Sequence, residues 1–287
     1  MSRIDVRKTY KLYVNGAFPR SESGRSYEVC DSRGRFLANA SLASRKDARD
    51  AVTAARAAVK GWSKANAYLR GQIVYRIAEV MESRRAQLVA DVVAAEGLTE
   101  ARAGKAVDAA IDRVVWYAGW ADKLPAVLGN ANAVSGPYFN FSVPEPSGVI
   151  AVLAPEDSSL LGLVSTVIPV IVTGNTAVVV SSSTRPLPAI TWAECLATSD
   201  VPAGVVNILT GARAEIAPWL ASHKDVDGID LTGVDDAALA RELEAAAAAN
   251  LKRFARPDAD EDWTVRPNLR RLSRFLETKT VWHPIGV

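Results

Sequence analysis

G-V-I-A-V-L, residues 148–153, follows its glycine with five apolar side chains and no polar alternation. A strand with one wet face alternates apolar with polar, so an unbroken run of this length is a strand buried on both faces. T-A-V-V-V (176–180), G-V-V-N-I-L (204–209) and V-D-G-I-D-L (226–231) are runs of the same kind. Each is followed by a helical segment, the last predicted from Asp235 through the alanines 245–249 to Phe254. Short buried runs alternating with helices define an α/β fold around a parallel sheet. In such sheets ligands bind at the carboxyl ends of the strands, so the loops after Leu153, Val180, Leu209 and Leu231 are where chemistry is sought.

Working outward, the segment 10–17 alternates loosely and carries Asn15-Gly16, the dipeptide of a tight hairpin. Ser44 with Asp47 predicts a capping box, and Ala48, Val52, Ala55, Val59 and Trp62 fall on one helical stripe. A longer helix is predicted from about 68 to 95, with Leu69, Ile73, Ile77, Met81, Leu88 and Val92 on one face. Another spans about 99–124 and is stopped by Pro125. Between 123 and 146, Gly129-Asn130, Gly136-Pro137 and Y-F-N-F-S-V predict a β-hairpin arm.

Composition narrows the function classes. The 287 residues are 49% hydrophobic and 23% charged with a net charge of +2, enough for a sizeable core and without a basic footprint for nucleic acid. Neither a signal-peptide pattern nor a run of the ~20 apolar residues that spans a bilayer is present, so a soluble, cytoplasmic chain without a membrane partner is expected. The two cysteines, Cys30 and Cys195, are far apart, and with two histidines, His223 and His283, neither a disulfide scaffold nor a metal cluster is expected.

The four loops read A-P-E-D-S-S, S-S-S-T-R-P-L-P-A, T-G-A-R-A-E-I-A and L-T-G-V, with E-P-S-G-V-I and G-N-T-A-V-V-V ahead of them. Together with V-P-A-G-V-V-N-I-L-T-G, A-A-A-N-L-K-R and a late F-L-E-T-K-T-V-W-H-P, they resemble the cofactor domain of the aldehyde dehydrogenase superfamily. The resemblance implies a Rossmann-like domain over 1–122 and 146–255, with helices on both faces of its parallel sheet. It also implies a small β oligomerisation arm over 123–145 and 268–287. F-A-R-P-D-A-D-E-D-W (254–263) interrupts the family's order where a general-base motif and a catalytic domain with a nucleophilic Cys would follow, so 256–267 is expected to be a linker replacing that domain. In this the chain resembles the second, catalytic-domain-lacking unit of the sixteenth, tandem aldehyde dehydrogenase family, standing alone.

The resemblance also sets what the loops must supply: a thiolate, an amide donor for the oxyanion, and contacts to NAD. Cys30 falls in the N-terminal β region, and Cys195 in the helix after Pro188, where a small buried thiol is expected. The family's P-W-N is Pro155-Glu156-Asp157 here, and a carboxylate accepts but does not donate; Asp157 is expected to cap the following helix. The family's K-P-S-E, which holds the adenosine ribose, is Val180-Ser181-Ser182-Ser183. Its spaced glycines survive only as Gly211, with Arg213 and Ala217 at the others, so side chains would crowd a dinucleotide. F-T-G-S is Leu231-Thr232-Gly233-Val234, followed by Asp235 and Asp236 as capping acids. Ser182, Gly211, Thr232 and Gly233 are the degenerate cofactor candidates, NAD entering by resemblance only, and no catalytic residue is assigned.

Three functions are weighed: a noncatalytic subunit assembling with a full-length aldehyde dehydrogenase in a hetero-oligomer, an NAD-dependent dehydrogenase using unrecognised residues, and a nucleotide-binding sensor. The first is favoured, because the arm and terminal strand that the family uses for association persist. Phe139, Phe141, Val143, Thr280, Val281 and Trp282 are the expected partner-binding residues.

Overall fold

The computed structural model describes residues 8–256 and 261–286. Its first turn follows the sequence directly: Val14 pairs with Ala17, and Asn15 and Gly16 take φ of 52° and 73°, the left-handed pair a type I′ turn demands. Antiparallel β1 (Ser26–Cys30) and β2 (Phe36–Ser41) follow. The predicted capping box then opens α1 (Arg45–Lys64): Ser44 accepts from the Asp47 amide, and Asp47 accepts from the Ser44 amide.

The anticipated long helix is two, α2 (Ala67–Ser83) and α3 (Arg85–Glu96). Arg84 breaks it at φ −106°, ψ 14°, with its guanidinium held by Gln87 and Glu194. No Gly or Pro marks the break, so tertiary packing sets it and periodicity does not show it. Of the predicted stripe, Ile77, Met81, Leu88 and Val92 are buried, whereas Leu69 is 47% exposed because α2 turns Gly71 and Val74 inward instead. Helix α4 (Glu100–Ala118) starts on its Thr99 cap but ends before Pro125. That proline lies in the first turn of a new short helix, α5 (Leu124–Leu128), where its missing N–H costs nothing.

Strands β3 (Asn130–Asn132) and β4 (Tyr138–Pro146) lead into the central sheet. Its parallel strands are β5 (Val149–Leu153), β6 (Thr176–Val180), β7 (Val206–Leu209), β8 (Gly228–Asp230) and β9 (Arg253–Ala255), in the order β7-β6-β5-β8-β9. Between them run α6 (Leu161–Val172), α7 (Leu187–Leu196), α8 (Arg213–Ser222) and α9 (Ala237–Ala247). The last helix was expected to continue to Phe254. It ends instead where Leu251 turns left-handed at φ 56°, freeing 253–255 to add an edge strand beside β8. A short α10 (Arg270–Ser273) precedes β10 (Leu276–Pro284).

Both faces of the sheet are covered, as the unalternating runs require. Val149, Ala151 and Leu153 pack with α1, α8 and α9, while Ile150 and Val152 pack with α2, α3, α4, α6 and α7. Leu272 and Phe275 are buried in the second of these layers. Of the segment read as a linker, 257–260 lies outside the described residues; Trp263 beyond it is buried in the same core.

Candidate functional site

The carboxyl ends of β5, β6, β7 and β8 bring the four candidate loops together, and they are joined there by side chains that the sequence places far apart. Glu156, after β5, reaches the loop after β6: its carboxylate accepts from the Ser182 hydroxyl at 2.7 Å and the Ser183 amide at 2.9 Å. Arg213, in the first turn of α8, meets the same carboxylate at 3.0 Å. The same nitrogen, Nη2, also donates to the Ala154 carbonyl, and Nη1 donates to the Gly233 carbonyl at 2.5 Å. One ion pair therefore ties together all four strand ends.

The electrostatics match. Burial by itself would push the Glu156 carboxyl up, but Arg213, Ser182 and Ser183 together hold it below its ordinary value. Arg213 is pulled down by burial against the opposing pull of Glu156 and Asp235; a guanidinium stays charged regardless.

The four cofactor candidates are gathered by the fold, and each already has a protein partner or a packing role. Ser182 is bound to Glu156. Thr232 donates to Asp230 and accepts from Arg274 at 3.2 Å. Gly211, at φ +128°, lies against Leu42 and Ala43, where a Cβ would approach the Leu42 side chain to 2.8 Å. A Cβ on Gly233 would come within 2.4 Å of the Leu153 carbonyl oxygen and the Ala154 carbonyl carbon, so this glycine serves close backbone packing. Asp236 caps α9 as expected, accepting from the Ala238 and Leu239 amides. Asp157 does not cap α6: Ser158 takes the Gly162 amide, and Asp157 offers only its carbonyl, to Arg185.

Cys195 is wholly buried in α7, and burial pushes its thiol up to about 11, opposite to what a nucleophile needs. Cys30 is exposed on β1. His223 is half-buried with its ring 4.4 Å from that of Trp219, and His283 is exposed on β10. Among the described residues no His, Cys, Asp and Glu group converges as a metal site, and no helix is long and apolar enough to cross a membrane.

The expected partner-binding residues lie on an antiparallel sheet ordered β10-β4-β3. Val281 pairs with Phe141, His283 with Phe139 and Lys279 with Val143. Directly opposed residues share a face, so Phe139, Phe141, Val143 and Val281 lie on one face together with Lys279 and His283, the two phenylalanine rings 5.4 Å apart. Thr280 and Trp282 are on the other, beside Ser142 and Asn140; Trp282 is 57% exposed and meets Tyr138 edge-on at 5.7 Å.

A five-stranded parallel sheet with helices on both faces and an antiparallel arm defines a Rossmann-like α/β chain. A model described as "Aldehyde dehydrogenase family" matches residues 18–256, and the chain belongs to that family. Cytosolic 10-formyltetrahydrofolate dehydrogenase of Xenopus tropicalis is 32% identical over 238 residues, covering 81% of this chain and 26% of that protein. Aldehyde dehydrogenase, cytosolic 1 of Elephantulus edwardii is 30% identical over 265 residues, 88% of this chain and 50% of that protein. Among solved structures, the NAD+ complex of aldehyde dehydrogenase from Bacillus cereus aligns with a TM-score of 0.81 at 24% identity, covering 86% of this chain and 50% of that one. The chain thus spans from about a quarter to about half the length of these relatives.

Proposed function

We propose that this chain is a noncatalytic aldehyde dehydrogenase-like subunit, which stabilises or organises a full-length aldehyde dehydrogenase by docking through its β10-β4-β3 arm. The observation that carries the reading is the Glu156–Arg213 pair. A dinucleotide needs glycine-lined backbone approach and free donors at the strand ends. Here a guanidinium spans the cleft, and the donors of Ser182 and Ser183 are turned onto a protein carboxylate. These residues do not fit NAD. Oxidation chemistry fares no better: neither cysteine lies in the loop cluster, and Asp157 stands where the resemblance places the oxyanion donor.

The arm supports the association half of the proposal. One face of the arm exposes Phe139 beside Phe141, and β10 is an edge strand with unpaired backbone groups, a template for a second sheet. Only residues 256–275 separate β9 from β10, the interval in which the family resemblance places a catalytic domain. A second reading, an NAD-dependent dehydrogenase, draws on the dehydrogenase names and NAD+ complexes of the relatives.

Co-expression with a full-length aldehyde dehydrogenase, followed by mass measurement of the intact complex, tests the first reading, and calorimetry with NAD+ tests the second. A mixed complex lost on Phe139→Asp is the expected result. Steady NADH formation from aldehydes by the chain alone, or a chain that ignores every such partner, would overturn it.

A further inference from the structure

A cavity of about 50 Å³ lies away from the strand ends, where the segment after 260 crosses α4. Arg113, Tyr117, Glu261, Asp262, Arg266 and Arg271 form its wall. Arg113 is 6% exposed and clamps that segment, donating to the Trp263 carbonyl at 2.8 Å, the Val265 carbonyl at 2.6 Å and Ser165 Oγ at 2.7 Å. Its Nε–H has no partner. The Tyr117 hydroxyl, on a side chain with no exposure at all, has none either. Arg271 lies 4.9 Å over the Trp263 ring and pairs through Nη2 with Glu261 at 2.7 Å, and its Nη1 has no hydrogen-bond partner.

All of these unmatched groups are donors. Burial pushes the Tyr117 hydroxyl up to about 12, so it keeps its proton. Of the described acids in the wall, Glu261 is paired with Arg271 and Asp262 accepts from the amide and hydroxyl of Thr264, which leaves the buried Arg113 guanidinium with carbonyl and hydroxyl partners and no carboxylate of its own. Buried donors without acceptors are costly, and a water, itself half donor, satisfies such a set poorly. The space is several times the ~10–15 Å³ that one water requires on the same measure. What completes it is an acceptor-only group with negative charge.

We propose that the Arg113–Tyr117–Arg271 cavity binds a small oxyanion no larger than phosphate, which fastens the segment 261–271 to α4. The site is separate from the cleft at the strand ends, and its occupancy does not depend on the proposed partner.

Thermal unfolding of the full chain is measured against inorganic phosphate, sulfate and acetate, each replacing chloride at constant ionic strength. Saturable stabilisation by at least one oxyanion is expected. Arg271→Gln should raise the half-saturating concentration at least about tenfold, and Tyr117→Phe, which removes only an unmatched hydroxyl and keeps the ring, about fivefold. Phosphate or sulfate outranking acetate would mark a tetrahedral ligand, and the reverse a carboxylate. Should the glutamine variant fail to fold, the phenylalanine variant decides. Stabilisation that follows ionic strength alone, or an equal response in Tyr117→Phe, overturns the proposal.

Discussion

Replacing Arg213 by Met keeps side-chain length and removes the guanidinium that joins the four strand ends. Two buried carbonyls, of Ala154 and Gly233, lose their donor, and the Glu156 carboxylate keeps only Ser182 and Ser183. Removing one partner of a buried ion pair costs ~3–5 kcal/mol. Glu156 retains 27% side-chain exposure and two donors, which places the expected loss near ~3 kcal/mol, a large part of the ~5–15 kcal/mol that holds a domain folded. Glu156→Gln keeps a hydrogen-bonding side chain beside Arg213 and should cost ~1–2 kcal/mol. The double variant should fall short of the sum by ~1–2 kcal/mol, the coupling of the pair. Urea unfolding at constant m-value measures all three. The pH dependence has a definite sign. Because the folded state holds the Glu156 carboxyl below its ordinary value of 4.5, the contribution is complete at neutral pH and fades as pH falls through the lowered value. A cost below ~1 kcal/mol for Arg213→Met with no coupling would refute the view that this pair closes the cleft.

Gly233→Ala should destabilise by ~2–3 kcal/mol or more in the same assay, since its Cβ would meet backbone atoms that cannot move aside. Thiol titration of the native chain should label the exposed Cys30 promptly and Cys195 only on unfolding, because burial holds the second thiol up to about 11. Trp282→Ala should cost the isolated chain only the ~0.5–1.5 kcal/mol of its edge-on contact with Tyr138 by thermal unfolding. Phe139→Asp should cost the isolated chain little beyond the ~0.5–1.5 kcal/mol of its ring contact with Phe141 and still abolish association seen by size exclusion, since that ring is half exposed.

The central strands were legible because burial on both faces writes itself as unbroken apolar runs, and β5 and β6 need no context to be recognised. Strand β9 was not. Arg253 and Phe254 are exposed at the sheet edge, so three residues there carry no pattern distinct from a fraying helix. The break at Arg84 escaped for a related reason: its cause, a guanidinium held by Glu194, lies outside local sequence. In the candidate site the positions were legible and the pairing was not. Glu156 and Arg213 each stood out as a charge replacing an apolar or small residue in its loop. Only the sheet order, which sets the ends of β5 and β7 around β6, shows that the two charges meet. The opposed faces of the arm were likewise hidden until the register put Val281 across from Phe141 and moved Trp282 to the other side.

The pairing of β4 with β10 joins residues near 140 to residues near 280, with the whole parallel sheet lying between them in the chain. Such distant contacts carry a high loop-closure cost until the intervening region has compacted, and they form late. During synthesis β4 would emerge long before β10, with the edge that β10 will occupy unpaired and Phe139 and Phe141 beside it. The β10-β4-β3 sheet is therefore completed only after the parallel sheet that lies between its strands, and the docking surface proposed for it would mature on the same schedule.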